Sequence, residues 1–277
     1  MRFQILPSPA AIRDSVKAIW IARGTKEGFD APDPIVPDGC VEIIFNLGDR
    51  FINADTGELQ PRTLIAGQMT RPVIALPTGN VDVIGVRFRT ARAGAALRIP
   101  MRELQDRLID AASVSRGLGA IDSLAELAGD DRLEHLGREL RSRLAITACD
   151  HAIDHALALI DRARGNVAVE TIAKRIGISR RQLERLFNDR VGLGVKQIAR
   201  ISRVHNALGM LQQRPEMSGA EIAVECGYSD QAHLIRECRE LAGQTPRQLK
   251  TTDRSLAELM RAGASQAPIL RAAISGR

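Results

Sequence analysis

At 277 residues, with 44% hydrophobic and 26% charged side chains, the chain is long enough for two domains with separate cores and has the make-up of a soluble globular protein. No apolar run approaches the roughly 18–20 residues of a membrane span, so no membrane partner is expected. The formal charge of +6 is uneven: residues 1–150 carry 19 Lys+Arg against 20 Asp+Glu, and residues 151–277 carry 20 against 13. A basic C-terminal half suits a polyanionic partner. The 3% aromatic content argues against stacking on single-stranded nucleic acid.

The opening stretch "MRFQILPSPAAIRDSVK" has no apolar segment after its charge and no small-residue cleavage site, so a cytoplasmic protein is expected. Cys40, Cys149, Cys226 and Cys238 form no CxxC pair, in keeping with a reducing compartment. Helical spacing runs over about 9–22, 92–97 and 101–111. Between the first two lie short β-rich runs, at 41–47, 63–67, 72–77 and 81–88, separated by Gly, Pro, Asn and Asp. This half reads as α+β with a mostly antiparallel sheet. Arg87, Arg89 and Arg92 are candidates to clasp an anionic effector, and a strand end that leaves Arg87 and Arg89 in solvent explains those two as well.

From about residue 120 the β signal stops and helical periods take over. Leu133, Leu136, Leu140 and Leu144 make one apolar stripe, either a bridge or a helical pairing surface.

The last hundred residues hold an internal repeat. At an offset of 50, Ile172, Ala173, Gly177 and Ser179 match Ile222, Ala223, Gly227 and Ser229. After one inserted residue the offset is 51, and Leu183, Arg185, Gly192 and Gln197 match Leu234, Arg236, Gly243 and Gln248. Each copy reads as a short helix, a Gly-apolar-Ser turn and a longer helix. Gly177 and Gly227 suit the left-handed position that closes the first helix, and Ser179 and Ser229 can cap the second. In the first long helix Leu183, Leu186, Phe187 and Val191 share the buried face. Arg181, Arg185 and Asn188 oppose it, flanked by Arg180, Gln182 and Glu184. In the second, Leu234, Cys238 and Leu241 are the buried stripe, and Ala232, His233, Arg236 and Arg239 point away, with Gln231 at the edge. Arginine and carboxamide groups on such faces are the donors and acceptors that read base edges in a major groove. A solvated helical bundle is the plain alternative, and two units with the same turn chemistry in a basic domain favour double-stranded DNA. Between the units Val195 to Arg214 is one uninterrupted helical pattern ended by Pro215.

The stretches "ETIAKRIGISRRQLERLF" and "AEIAVECGYSDQAHLIRECRELAGQTPRQL", with the connecting helix, resemble the DNA-binding domain of the AraC/XylS family of bacterial transcription regulators. The resemblance spans about Val167 to Lys250. It implies two helix-turn-helix units set in successive major grooves, with base-reading positions at Arg181, Glu184 and Arg185, and at Gln231, Ala232 and Arg236. Arg180, Gln182 and His233 stand beside them. Cys238, Ala242 and Leu249 depart from the pattern, since the family has aromatic residues there. "PDGCVEIIFNLGD" and "VIGVRFRTARAGAAL" more distantly resemble a regulatory domain of AraC-like proteins, which implies a cupin-like sheet that binds a small-molecule effector or mediates pairing.

The expected organisation is an α+β domain over 1–118, a helical bridge over 119–165, the all-α tandem helix-turn-helix domain over 166–250, and a tail over 251–277. The expected function is a sequence-specific DNA-binding transcription regulator. Ser179, Lys196 and Ser229 are candidates for phosphate contact, and RNA polymerase and a second copy of the chain are candidate partners beside the effector. The rivals are an enzyme domain fused to a DNA-binding domain, and an interaction scaffold. No catalytic set is legible: Cys40 lies far from any histidine and reads as a packed thiol, and Asp38 and Glu42 make no acid/base pair. No metal and no cofactor are expected. His151 and His155 at i, i+4 have Asp154 alone as a third candidate ligand, and His233 and Cys238 project about 140° apart on one helix.

Overall fold

The computed structural model describes residues 2–10, 12–28, 34–114, 122–127, 129–144 and 150–251; Cys149 and nearly all of the tail lie outside the described residues. The N-terminal half is built from strands β1 (Arg2–Pro7), β2 (Val16–Thr25), β3 (Glu42–Asn46), β4 (Phe51–Asn53), β5 (Thr63–Ala66), β6 (Ala75–Pro77), β7 (Asn80–Phe88) and β8 (Leu108–Asp110). Six of them form one antiparallel sheet in the order β1-β2-β7-β3-β5-β8, and β4 pairs with β6.

The expected helix over 9–22 is not there. Residues 12–16 make a turn closed by Ser15 and Val16 amides on the Ile12 carbonyl, and β2 follows, paired along its length with β7. Its Val, Ile and Trp side chains fit a pleated surface packed on both faces, and this overrides the helix-like spacing of Ile12, Val16 and Ile19. The helix expected over 101–111 shrinks to one 3-10 turn at Met101–Glu103, after which Leu108–Asp110 is taken as an edge strand by β5.

One face of the sheet carries Ile19, Ile43, Phe45, Ile65, Ile84, Val86 and Phe88 into a core closed by α1 (Ala93–Leu97) and α4 (Gly129–Arg143). Leu136 and Leu140 are buried there, with Leu133 and Leu144 packed beside them. The apolar stripe of α4 is therefore covered by the chain's own sheet. The short helices α2 (Ala111–Val114) and α3 (Asp122–Ala125) lie between. On the other face Arg87 is buried at the heart of an ion network, 2.9 Å from Asp38 and 2.5 Å from Glu42. The Trp20 indole N–H donates to Glu42 Oε1 at 3.3 Å.

The second core is helical. It gathers α5 (His151–Arg162), α6 (Val169–Ile176), α7 (Arg180–Arg190), α8 (Val195–Gln213), α9 (Gly219–Glu225) and α10 (Gln231–Ala242) around Phe187, Val204, Ala207, Ile222, Leu234 and Cys238. A last short helix, α11 (Pro246–Thr251), packs on α8 and α10. The N-terminal half enters this core through Val36 and Ala91. Polar contacts tie the halves further, among them His205 on α8 donating to the Pro37 carbonyl at 2.7 Å and Arg92 pairing with Asp154 on α5. The three arginines proposed as an anion clasp are thus apart in role. Arg87 is buried between carboxylates, Arg89 donates to the Arg13 carbonyl at 2.9 Å, and Arg92 is held by Asp154.

Candidate nucleic-acid interface

Each repeat unit folds as its turn chemistry dictates. α6 closes on Gly177 at φ +76°, and the Ile178 amide returns to the Ala173 carbonyl at 3.1 Å. In the second unit Gly227 has φ +74° and the Tyr228 amide returns to the Ala223 carbonyl at 2.8 Å. This is the same reversal, in which backbone amides satisfy helix-end carbonyls that would otherwise lack partners.

The caps differ. Ser179 begins α7 in a capping box: its hydroxyl accepts from the Gln182 amide at 3.2 Å, and Gln182 Oε1 accepts from the Ser179 amide at 2.9 Å. In the second unit the cap is Asp230, not Ser229. The Asp230 carboxylate accepts from the His233 amide at 2.7 Å, and the Ser229 hydroxyl donates to Asp230 at 3.1 Å. These bonds hold the Asp230 carboxyl below the usual carboxylate range, the His233 amide first.

The side chains expected to read bases fall into two groups. Arg181, Arg185 and Asn188 on α7 are exposed, as are Gln231, Ala232 and Arg236 on α10. The others are engaged within the protein. Arg180 lies 2.6 Å from Glu170 and 3.2 Å from Glu184, so two candidate readers neutralise each other on the exposed surface. The Gln182 carboxamide oxygen is committed to the cap. His233 is half-buried, edge-on to the Tyr228 ring at 5.2 Å, with Nδ1 3.2 Å from the Ser229 hydroxyl. Asn188, at the far end of α7, also lines a cleft of about 390 Å³ against Thr70 and Gln105 of the sheet domain. Of the phosphate candidates, Lys196 is exposed in the first turn of α8, and Ser179 and Ser229 are exposed at the two helix starts.

A residue that the helical projection overlooked joins the units. Glu237 is buried on α10, within the stripe of Leu234, Cys238 and Leu241. Its Oε1 accepts from Arg200 Nε at 2.7 Å, and Arg203 Nε stands 3.9 Å from its Oε2 while the guanidinium lies over the Tyr228 ring. Arg200 also donates to Glu240 at 2.5 Å and to Gln197 at 3.2 Å. Arg200 and Arg203 sit one turn apart on α8, so α10 is pinned to the connecting helix by charge as well as packing. The available signal was a lone carboxylate inside an apolar stripe, which demands a cation from a neighbouring helix.

The three cysteines among the described residues are free and buried. Cys226 Sγ lies 3.4 Å from Met210 Sδ and accepts from Asn206 at 3.3 Å, Cys238 is fully buried, and Cys40 lies 3.9 Å from the Thr90 hydroxyl. Burial, reinforced by nearby carboxylates, pushes the Cys40 and Cys226 thiols up to about 11 and the Cys238 thiol to about 12. All three are expected to resist iodoacetamide at pH 8 in the native chain and to react in denaturant, as mapped by mass spectrometry. Labelling of native Cys238 at the denatured rate would contradict its placement.

Comparison with known proteins follows the same division. Residues 172–252 match the family described as "Helix-turn-helix domain", and residues 4–110 match "Domain of unknown function (DUF6597)". The chain is 38% identical over 79 residues to the HTH-type transcriptional regulator GlxA of Rhizobium meliloti, a match covering 28% of this chain and 24% of that protein. The chain thus spans about a quarter of that relative's length. Among solved structures, an AraC-type DNA-binding transcriptional regulator from Chromobacterium violaceum is 27% identical, with 42% of this chain and 95% of that chain covered and a TM-score of 0.33. ToxT from Vibrio cholerae O395 is 12% identical, with 91% of this chain and 99% of that chain covered and a TM-score of 0.47.

Proposed function

We propose, from the premise that residues 172–252 are an AraC-type helix-turn-helix domain, that this chain is a sequence-specific DNA-binding transcription regulator. The observation that carries the reading is the pairing of two exposed helix faces, Arg181 and Arg185 on α7 with their repeat equivalents Ala232 and Arg236 on α10, where Gln231 stands beside them. α8 joins them over 19 residues, about 28 Å at 1.5 Å per residue. Successive major-groove faces recur at about 34 Å, so the two helices suit adjacent turns on one side of a duplex.

In this reading Arg181, Arg185, Gln231 and Arg236 supply the contacts to base edges, and Ala232 leaves room for close approach or a thymine methyl. Glu184 and Arg180 act as a pair that opens when Arg180 turns to the backbone. Lys196, Ser179 and Ser229 take phosphates, which fix register rather than sequence. Residues 1–118 bind an effector or mediate pairing, 119–165 bridge, 166–250 read DNA, and 251–277 form the tail. The protein works in the cytoplasm and is not an enzyme. Asp38 and Glu42 are held in the buried Arg87 network, and burial pushes the Cys40 thiol up to about 11.

Mobility shifts of the full chain against promoter fragments test this, and binding should weaken steeply as salt rises, because released counterions drive it. Absence of salt-dependent binding to any duplex would sink the proposal. On a selected site, Arg236→Ala is expected to cost about 1–3 kcal/mol and to relax choice at one base position. Equal loss on all sequences would make Arg236 a phosphate contact instead.

A further inference from the structure

A single segment of the sheet domain, Gln68 to Pro72, reaches the C-terminal ends of both reading helices. The Gln68 side chain is wholly buried, and its Nε2 donates to the carbonyl of Val191, the residue that caps α7. Gly192 follows at φ +80°, so close that a Cβ on it would stand 2.8 Å from Gln68 Nε2 and 2.9 Å from the Met101 carbonyl oxygen. At the other end of the segment Pro72 packs on Gly243, which caps α10 at φ +68°; a Cβ there would stand 3.2 Å from Pro72 Cγ. Gly192 and Gly243 are the same position of the internal repeat. The N-terminal domain therefore touches one structural feature twice, the left-handed glycine that closes each reading helix.

The segment is itself held rigidly. The Thr70 amide and hydroxyl both donate to the Asp106 carboxylate, at 2.6 and 2.7 Å, and the Asp106 amide donates back to the Gln68 carbonyl at 3.0 Å. A rigid body spanning the two helix ends limits how far each unit can tilt about α8. Spacing along DNA is unforgiving in the same sense: one base pair moves the second site by about 3.4 Å and rotates it by about 35°.

We propose that Gln68–Pro72 is a gauge that fixes the separation of the two reading helices, making Gln68 and Pro72 positioning residues for operator spacing although neither lies on a reading face. This rests on the DNA-reading function proposed above. The test uses the full chain as wild type, Gln68→Ala, Pro72→Ala and the double variant, with duplexes selected by the wild type from a random pool. The two half-sites are then re-spaced by one and two base pairs in each direction. The wild type should lose about tenfold in affinity for one base pair of displacement, within the range of a single mismatched position. The double variant should vary by only about threefold across the series while keeping the base preference of each half-site. A double variant with the wild-type spacing profile and only a lower melting temperature would overturn the gauge, as would a wild type indifferent to spacing. A wild type that binds no duplex would defeat the DNA-reading function itself. If Gln68→Ala does not fold, Pro72→Ala decides, since it takes away the ring contact on Gly243 and the fixed φ of Pro72 but leaves the Gln68 hydrogen bond in place: broadened spacing tolerance supports the gauge and an unchanged profile overturns it.

Discussion

Replacing Arg87 with alanine is expected to cost the fold about 3–5 kcal/mol, the range for breaking a buried ion pair by removing one partner. The guanidinium lies on β7, near the middle of the six-stranded sheet, with Asp38 at 2.9 Å and Glu42 at 2.5 Å. Without it two carboxylates face each other in the interior. The Cys40 amide on Asp38 at 2.9 Å and the Trp20 indole on Glu42 at 3.3 Å are weak compensation. The loss has a pH signature. Burial by itself would raise the Asp38 carboxyl, but the Arg87 charge, with the Cys40 amide, holds it below its ordinary value. A carboxyl with a depressed folded value contributes stability above its unfolded pKa, about 3.9, and that contribution is lost as pH falls through the folded value. In the variant the sign reverses, because burial without the cation favours the protonated form. The gap between wild type and variant in denaturant melts should therefore narrow as pH falls from 7 toward about 4. An equal gap at both pH values would assign the loss to packing.

The consequence extends to DNA binding. Pro37 and Gly39 flank Asp38, and both rest on the connecting helix: the Pro37 carbonyl takes the His205 N–H, and a Cβ on Gly39 would stand 2.8 Å from the Ile198 side chain. Loosening Arg87 loosens a turn on which α8 is seated.

How much of this was legible in the sequence differs between the halves, for physical reasons. The helix-turn-helix units announce themselves because a left-handed glycine and a capping serine are local requirements, met within a few residues. Even there the one-residue insertion matters. Ser179 and Ser229 match at an offset of 50, but the repeat lengthens between Ser229 and Leu234, and the cap of α10 is Asp230. A helical projection does not single out Glu237, because it sorts residues by face and says nothing of partners on another helix. In the N-terminal half the deciding contacts are distant. Val16–Thr25 is a strand because β7, more than fifty residues later, pairs with it, and no local period encodes that. Arg87 looked like an exposed strand-end residue because its two carboxylates lie over forty positions away in the chain. The segment Gln68–Pro72 carries no motif at all; its role appears only when the two helix ends are seen to meet it.

Phe187→Ala is expected to destabilise the chain by about 3–5 kcal/mol, as truncation of a fully buried aromatic does. Phe187 seats α7 on the helical core beside Leu183 and Val191, so the first reading helix should lose its footing and binding to a selected duplex should fall with it. Arg185, two positions earlier, separates support from reading. It is exposed, and Arg185→Ala is expected to leave stability within about 0.5 kcal/mol while weakening specific binding by about 1–3 kcal/mol. Both variants should lose binding in a competition assay with mismatched duplexes, and the denaturant melt separates them, falling for Phe187→Ala and holding for Arg185→Ala. If Arg185→Ala lowers the melt as far as Phe187→Ala does, Arg185 supports the fold. If it changes neither measurement, the reading face of α7 has been assigned to the wrong side of the helix.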